Sequence, residues 1–133
     1  MVYYLKLYVV TLVSFLVIDL LWLGIVARSF YRSHLGFLMA PSTNWWAASV
    51  FYLLFVLGIL FFVLVPSLEA DSLGSVIMRG ALYGLITYAT YDLTNLATLQ
   101  DWPLVLSIVD IAWGTVLAVA TSSVGFMVGK WLA

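Results

Sequence analysis

Residues 7–27 read LYVVTLVSFLVIDLLWLGIVA, with one charged residue, Asp19, between the flanking Lys6 and Arg28. The hydrocarbon core of a bilayer is about 30 Å thick, and about 20 helical residues are needed to cross it. This stretch therefore predicts a membrane-spanning helix. It is too long for a cleavable signal sequence and lacks a convincing small-residue cleavage site, so we expect the helix to be retained.

Three more stretches reach this length, at about residues 45–65, 80–99 and 103–129. Asn44 is a suitable N-cap for the second helix, Pro66 is expected to end it, and a proline suits the first turn of the fourth. Tryptophans stand at several helix ends, where indole rings favour the lipid–water interface. The sequence therefore predicts an all-α fold, in which residues 1–133 form one transmembrane domain, an integral-membrane four-helix bundle.

The composition agrees with this class of protein. Of the 133 residues, 65% are hydrophobic and 8% are charged, and the mean hydropathy is +1.16. The net charge is −1 and the basic residues are scattered, so the expected partner is the lipid bilayer and not nucleic acid. Cysteine is absent and histidine occurs once, which excludes thiol catalysis, thiolate metal sites and histidine-rich metal sites.

The longest connection, residues 28–44, has Tyr31, Leu35 and Leu38 at helical spacing, while Arg28 and Arg32 share another face. A short helix lying in the membrane interface fits this pattern, and an ordinary loop fits it equally well. Four crossings would place both chain ends on one side, the terminal side, and this connection on the other, the loop side. Lysine and arginine are divided too evenly to decide which side is cytoplasmic.

Three aspartates interrupt the predicted helices: Asp19 in the first, Asp92 in the third and Asp110 in the last. Counted from the loop-side helix ends, all three lie about 10–12 Å below that boundary at 1.5 Å per residue. A carboxylate in hydrocarbon is unfavourable by a few kcal/mol, so such residues usually face a protein interior or a watery cavity and indicate a functional site. The second helix has no acidic or basic residue and is interpreted as a scaffold facing lipid.

Aromatic and polar side chains share helix faces with these acids. Steps of three and four residues connect them in the third helix from Gly84 to Asn95, and its opposite face is apolar. The motif Asp-x-x-Trp occurs in both the first and the last helix, which resembles an inverted repeat. We therefore predict one loop-side pocket. Its predicted ligand-binding residues are Asp19, Trp22, Tyr88, Tyr91, Asp92, Asn95, Asp110 and Trp113.

Two Gly-x-x-x-Gly motifs, at residues 80–84 and 125–129, lie near the terminal side of the third and fourth helices. Such spacing lets helix backbones approach closely. If the two motifs meet, these helices diverge toward the loop side and leave a cavity open toward Arg28 and Arg32. Alternatively, each pair serves a separate contact or a homodimer.

The acids support three chemical interpretations. Crowding and burial favour the protonated form of a carboxyl group, so the cluster could exchange a proton for an organic cation held by aromatic ring faces. Alternatively, Asp19, Asp92 and Asp110 could bind a hard metal cation such as Ca²⁺, Mg²⁺ or Na⁺ with the Asn95 amide and the Thr94 or Thr98 hydroxyl; no other cofactor is indicated.

The third interpretation is structural. The aspartates would then accept hydrogen bonds from Trp22, Trp113 and tyrosine hydroxyls, or from Arg28 and Arg32, and would only hold helices together. Such bonds contribute on average less than about 1 kcal/mol each, which is a small return for burying three acids.

Several segments resemble a family of small bacterial four-helix inner-membrane proteins catalogued as predicted membrane proteins, a domain of unknown function. These segments are YDLTNLATL at residues 91–99, Trp102-Pro103, and VDIAWGT at residues 109–115. The segments DLLWLG at residues 19–24 and FYRSHLG at residues 30–36 extend the resemblance over most of the chain. The resemblance implies the fold and a multi-pass location in the bacterial inner membrane, and it implies no activity.

We therefore expect a small polytopic membrane protein that binds, and in one version transports, a cation or proton-coupled small ligand. The sequence lacks a nucleophile–base pair, a phosphate loop and a cofactor signature, so an enzyme is less favoured. The alternatives are a membrane-embedded enzyme or accessory protein acting on lipids, and a structural protein. Transport would favour a homodimer, because one bundle of this size offers little room for a complete path.

Overall fold

The computed structural model describes residues 1–133, which form helices and no strand. The five helices are α1 (Val2–Val26), α2 (Arg28–Leu35), α3 (Trp45–Glu69), α4 (Leu73–Thr98) and α5 (Leu104–Leu132). The predicted all-α bundle is confirmed, and of the two interpretations of the connection after the first span, a short helix or a loop, the structure shows the helix. The helix bounds differ from the predicted ones by a few residues, most of all in α4, which begins at Leu73 and not at residue 80.

Three of the helices, α1, α3 and α5, are long and apolar enough to cross a membrane. The fourth long helix, α4, has 26 residues and is therefore about 39 Å long. Arg79, Asp92 and several hydroxyl side chains make it the most polar of the four. Length thus agrees with four predicted spans and composition with three, and a membrane crossing by α4 stays a prediction.

Helix α3 departs from the sequence prediction at Pro66. Proline was expected to end this helix, because it lacks a backbone N–H and clashes with the preceding turn. The helix instead continues to Glu69, since a π-helical segment, Ile59–Leu64, ends two residues before the proline and already interrupts the α-helical hydrogen-bond ladder there. The predicted N-cap is confirmed: the Asn44 side chain accepts a hydrogen bond from the Ala47 amide at 3.1 Å.

The four long helices form a ring in the order α1, α3, α4, α5. The most extensive contact joins α4 to α5, and α1 packs on both α5 and α3. Helix α3 packs on α4 through the segment Ile59–Leu64, and the Tyr83 hydroxyl donates to the Phe55 carbonyl at 3.0 Å. The first turns of α3 stay beside α1 instead, where the Tyr8 hydroxyl donates to the Leu53 carbonyl at 2.9 Å. On the loop side, α3 and α4 therefore diverge.

Glycine determines how closely α4 and α5 approach. A Cβ atom on Gly84 would lie 2.4 Å from the Gly114 carbonyl oxygen and 2.8 Å from the Ala118 Cβ. A Cβ atom on Gly80 would lie 3.3 Å from the Val119 Cα. The first Gly-x-x-x-Gly motif therefore packs on the middle of α5 and not on the second motif.

The second motif serves other helices. A Cβ atom on Gly125 would lie 2.8 Å from both Leu64 and Thr11, and one on Gly129 would lie 3.2 Å from Leu68. The hypothesis that the two motifs meet is wrong, and the alternative of separate contacts is correct. The reason is that Gly114 and Ala118 lie on the face of α5 toward α4, whereas the second motif lies toward α1 and α3.

Two apolar clusters fill the bundle away from the loop side. The terminal-side cluster consists of Leu7, Ile59, Val63, Leu64, Val76 and Phe126. The central cluster consists of Phe15, Val56 and Leu117, whose side chains are completely buried. The loop-side third of the bundle has no such filling, and this is where the aspartates lie.

We predict that Gly84→Ala destabilises the protein by about 1–3 kcal/mol, because the added methyl group overlaps backbone atoms of α5 that cannot move independently. Unfolding of purified protein in mixed micelles with increasing denaturant would measure this loss. Gly24→Ala is the matched control, since its Cβ atom would have no other atom within 4 Å. Equal losses in the two variants would contradict the prediction.

Candidate functional site

A cavity of about 710 Å³ lies at the loop-side end of the bundle, and all five helices contribute to its wall. This volume is within the range usual for ligand pockets, about 300–1,000 Å³. Thirteen of its seventeen lining residues are hydrophobic, and the others are Thr87 and the three aspartates. Acids from α1, α4 and α5 therefore meet in one apolar and aromatic chamber.

Six of the eight predicted site residues line this cavity. They are Asp19, Tyr88, Tyr91, Asp92, Asp110 and Trp113. Trp22 lies behind the wall, stacked on Trp113 with ring centroids 4.3 Å apart and planes inclined by 7°. Asn95 is also outside the wall, half-buried about one turn beyond Tyr91 on α4. The structure thus brings the predicted acids together and leaves two of their predicted neighbours beside the cavity.

Asp19 is held by two hydrogen bonds. The Trp113 indole N–H donates to its Oδ1 atom at 3.2 Å, and the Tyr52 hydroxyl donates to its Oδ2 atom at 3.3 Å. Each carboxylate oxygen therefore has a donor from another helix. These bonds link α1 to α5 and α3.

Asp110 is held from the interfacial helix. The Tyr31 hydroxyl donates to its Oδ1 atom at 2.5 Å, and the Trp22 indole N–H lies 3.4 Å from the tyrosine oxygen. Burial, together with the bond to Asp110, raises the pKa of Tyr31, so this hydroxyl stays a donor at neutral pH. The bond ties α2 to α5.

These contacts give the repeated Asp-x-x-Trp motif a structural role. Asp19 of α1 binds Trp113 of α5, and Asp110 of α5 is reached by Trp22 of α1 through Tyr31. Two neighbouring antiparallel helices that carry the same motif place each aspartate opposite the other's tryptophan. The stacked indole rings of Trp22 and Trp113 join the two motifs.

Asp92 differs from the other two acids. Its side chain has 0% exposure, and neither carboxyl oxygen has a hydrogen-bond donor. Asp110 of α5 lines the same cavity. Asp92 is therefore the one acid of this cavity for which the protein supplies no donor.

No basic side chain compensates these acids. Arg28 and Arg32 lie on the exposed face of α2, away from the wall formed by Tyr31 and Leu35, so the suggestion that they reach the aspartates is wrong. The ion pair in the structure joins Lys130 to Asp71 at 2.6 Å, at the terminal side. The cavity therefore has acidic groups and no basic ones.

The structure offers no ligand set for the predicted metal site at Asp19, Asp92 and Asp110. No group of three or more His, Cys, Asp or Glu side chains is arranged to hold a metal ion. Thr94 and Thr98, suggested as further ligands, instead donate to backbone carbonyls one turn earlier, on the outer face of α4. Asp19 is engaged by its own donors, which separates it from the pair formed by Asp92 and Asp110.

The sequence analysis missed two tyrosines of the site. Tyr52 contacts Asp19 from α3, so the interpretation of the second helix as a lipid-facing scaffold is incomplete. The available signal was a single tyrosine in an otherwise apolar helix interior. For Tyr31, helical spacing correctly placed the ring on one face with Leu35, but spacing cannot show that this face covers Asp110.

A model of the family described as "Predicted membrane protein (DUF2177)" matches residues 4–127 of this chain. The match covers most of α1 and α5, all of α3 and α4, and every residue of the cavity wall. No curated protein and no solved structure matches the chain.

We predict that Tyr31→Phe destabilises the protein by about 1–3 kcal/mol, because the half-buried Asp110 carboxylate loses its donor while the ring is kept. Faster hydrogen–deuterium exchange across residues 28–35 should accompany the loss, since α2 is released from α5. Tyr4→Phe, on the outer surface of α1, is the control and should change neither quantity. Unaltered exchange in α2 of the Tyr31 variant would refute this role.

Proposed function

Since the chain belongs to the DUF2177 family of predicted membrane proteins, we propose that it is a multi-pass protein of a bacterial inner membrane whose loop-side cavity binds a small organic cation in competition with protons. That the chain is a membrane protein with apolar helices follows from the family and the fold. What we propose is the ligand and the residues that bind it.

Asp92 is the main support. Removing a carboxyl group from water without a compensating partner is expensive, so a fully buried one with two unpartnered oxygens is a strong candidate for binding something else. A purely structural role accounts for Asp19 and Asp110, which have donors. It does not account for Asp92.

The aromatic wall favours an organic cation. Tyr88, Tyr91 and Trp113 line the cavity with the acids, and ring faces attract cationic groups, above all quaternary ammonium groups. Tyr88 is seated on Gly114, where any Cβ atom would lie 2.0–2.4 Å from three ring atoms. This contact orients the ring beside the acid pair.

In one version of the proposal, the protein also transports the bound cation. The central cluster of Phe15, Val56 and Leu117 separates the cavity from the terminal side, so passage requires these side chains to part. Beyond the cluster, the buried hydroxyls of Thr121 and Ser122 have no partner, which leaves polar atoms on both sides of it. A second copy of the chain could complete such a path, and a homodimer belongs to this version of the proposal.

We predict that Asp92→Asn weakens binding of butyltrimethylammonium at least about tenfold, because charged hydrogen-bonding groups in buried sites contribute roughly 1.5–3 kcal/mol. Isothermal titration calorimetry on the protein in lipid nanodiscs would measure the affinity. Asp101→Asn is the matched control: it removes one negative charge near the loop side, outside the cavity wall, and asparagine tolerates its positive φ of 57°. Equal binding by the wild type and both variants, or by none, would reject the proposal.

We also expect the affinity of the wild type for this permanently charged cation to fall as the medium is made more acidic. Protons and the cation compete for the unpartnered oxygens of Asp92, so binding should release protons. Titration in two buffers of different ionisation enthalpy would reveal that release. A pH-independent affinity with no proton release would remove proton coupling and leave cation binding intact.

A further inference from the structure

A gap lies between the first half of α3 and α4, which make no extensive contact with each other on the loop side. The two helices are joined at Phe55 and Tyr83 and, farther toward the terminal side, through the segment Ile59–Leu64. Toward the loop side α3 packs beside α1, and its side chains face those of α4 across the cavity. Two lining residues on these helices, Phe51 of α3 and Tyr91 of α4, are 49% and 58% exposed.

The chemistry of the wall changes from the interior to this opening. Asp92 and Asp110 line the cavity from α4 and α5, the two helices that pack most extensively on each other. The opening itself is bordered on α3 by Ala47, Ala48 and Phe51, which are apolar. The two alanines leave space where larger side chains would close the gap. The cavity therefore has a polar end and an apolar end.

The sign of the charge restricts the class of ligand further. The wall contains three acids and no lysine, arginine or histidine. A phosphate group would meet only like charges there, so phospholipid headgroups, including zwitterionic ones, are disfavoured. A cationic headgroup without a phosphate meets complementary charge and aromatic rings.

The route from water is partly covered. Tyr31 and Leu35 of α2 lie over the loop-side end of the cavity, and the bond from Tyr31 to Asp110 holds α2 in place. Entry through the gap between α3 and α4 does not require α2 to move. A ligand that partitions into the bilayer can therefore reach the acids along the membrane plane.

From these observations we infer that the ligand is a single-chain cationic amphiphile, which enters sideways between α3 and α4 and keeps its apolar tail in the gap while its head lies beside Asp92 and Asp110. This inference rests on the proposed cation binding and adds the tail site, the entry route and the exclusion of phosphate headgroups.

The test compares two cations with the same head, butyltrimethylammonium and dodecyltrimethylammonium, in phosphatidylcholine nanodiscs. Ala48→Trp fills the gap with an indole ring. Val50→Trp, on the same helix but outside the cavity wall and 40% exposed, is the matched control. Partition of each cation into the bilayer is the same for all variants, so the ratio of affinities measured by calorimetry isolates the effect of the gap.

We expect Ala48→Trp to weaken binding of the dodecyl cation about tenfold more than binding of the butyl cation, as when roughly two methylene groups lose their apolar contacts. Val50→Trp should change neither, and dodecyl phosphate should not bind. An equal effect of Ala48→Trp on both chain lengths, no effect on either, or binding of dodecyl phosphate as tight as that of the dodecyl cation would overturn the inference. If Asp92→Asn changed the affinity for neither cation, the proposed function itself would be rejected.

Discussion

The close approach of α4 and α5 at Gly84 and Gly114 is the constraint on which the rest of the site depends. With no Cβ atom on either residue, the two backbones come close enough for the ring of Tyr88 to lie directly on Gly114. The same contact places Asp92 of α4 and Asp110 of α5 in the wall of one cavity. Larger side chains at this level would separate the helices, and the acids would then face different surroundings.

The three aspartates divide between two tasks once this contact is made. Asp19 and Asp110 accept hydrogen bonds from tryptophan and tyrosine side chains, and these bonds join α1, α2, α3 and α5. For these two acids, the hydrogen bonds that the structural interpretation expects are present. Asp92 has no donor, so the chemistry of the cavity is concentrated on the one acid that the fold leaves unsatisfied.

Helix α3 shapes the space around Asp92. Its second half packs on α4 and supplies much of the terminal-side cluster, which fills the bundle there. Its first half stays with α1, so α3 and α4 are in contact on the terminal side and apart on the loop side. The floor of the cavity is thus apolar and packed, whereas its lateral wall is incomplete.

Helix positions, the facial pattern of α4 and the burial of the acids could all be predicted from the sequence, because run length and periodicity are local properties of a chain. Local properties do not specify which faces meet. That the two glycine motifs serve separate contacts, that Tyr31 and Tyr52 supply donors, and that Asp92 alone lacks one depends on the order and rotation of the helices. Those are decided by side-chain packing between segments distant in sequence, and only the tertiary structure reveals them.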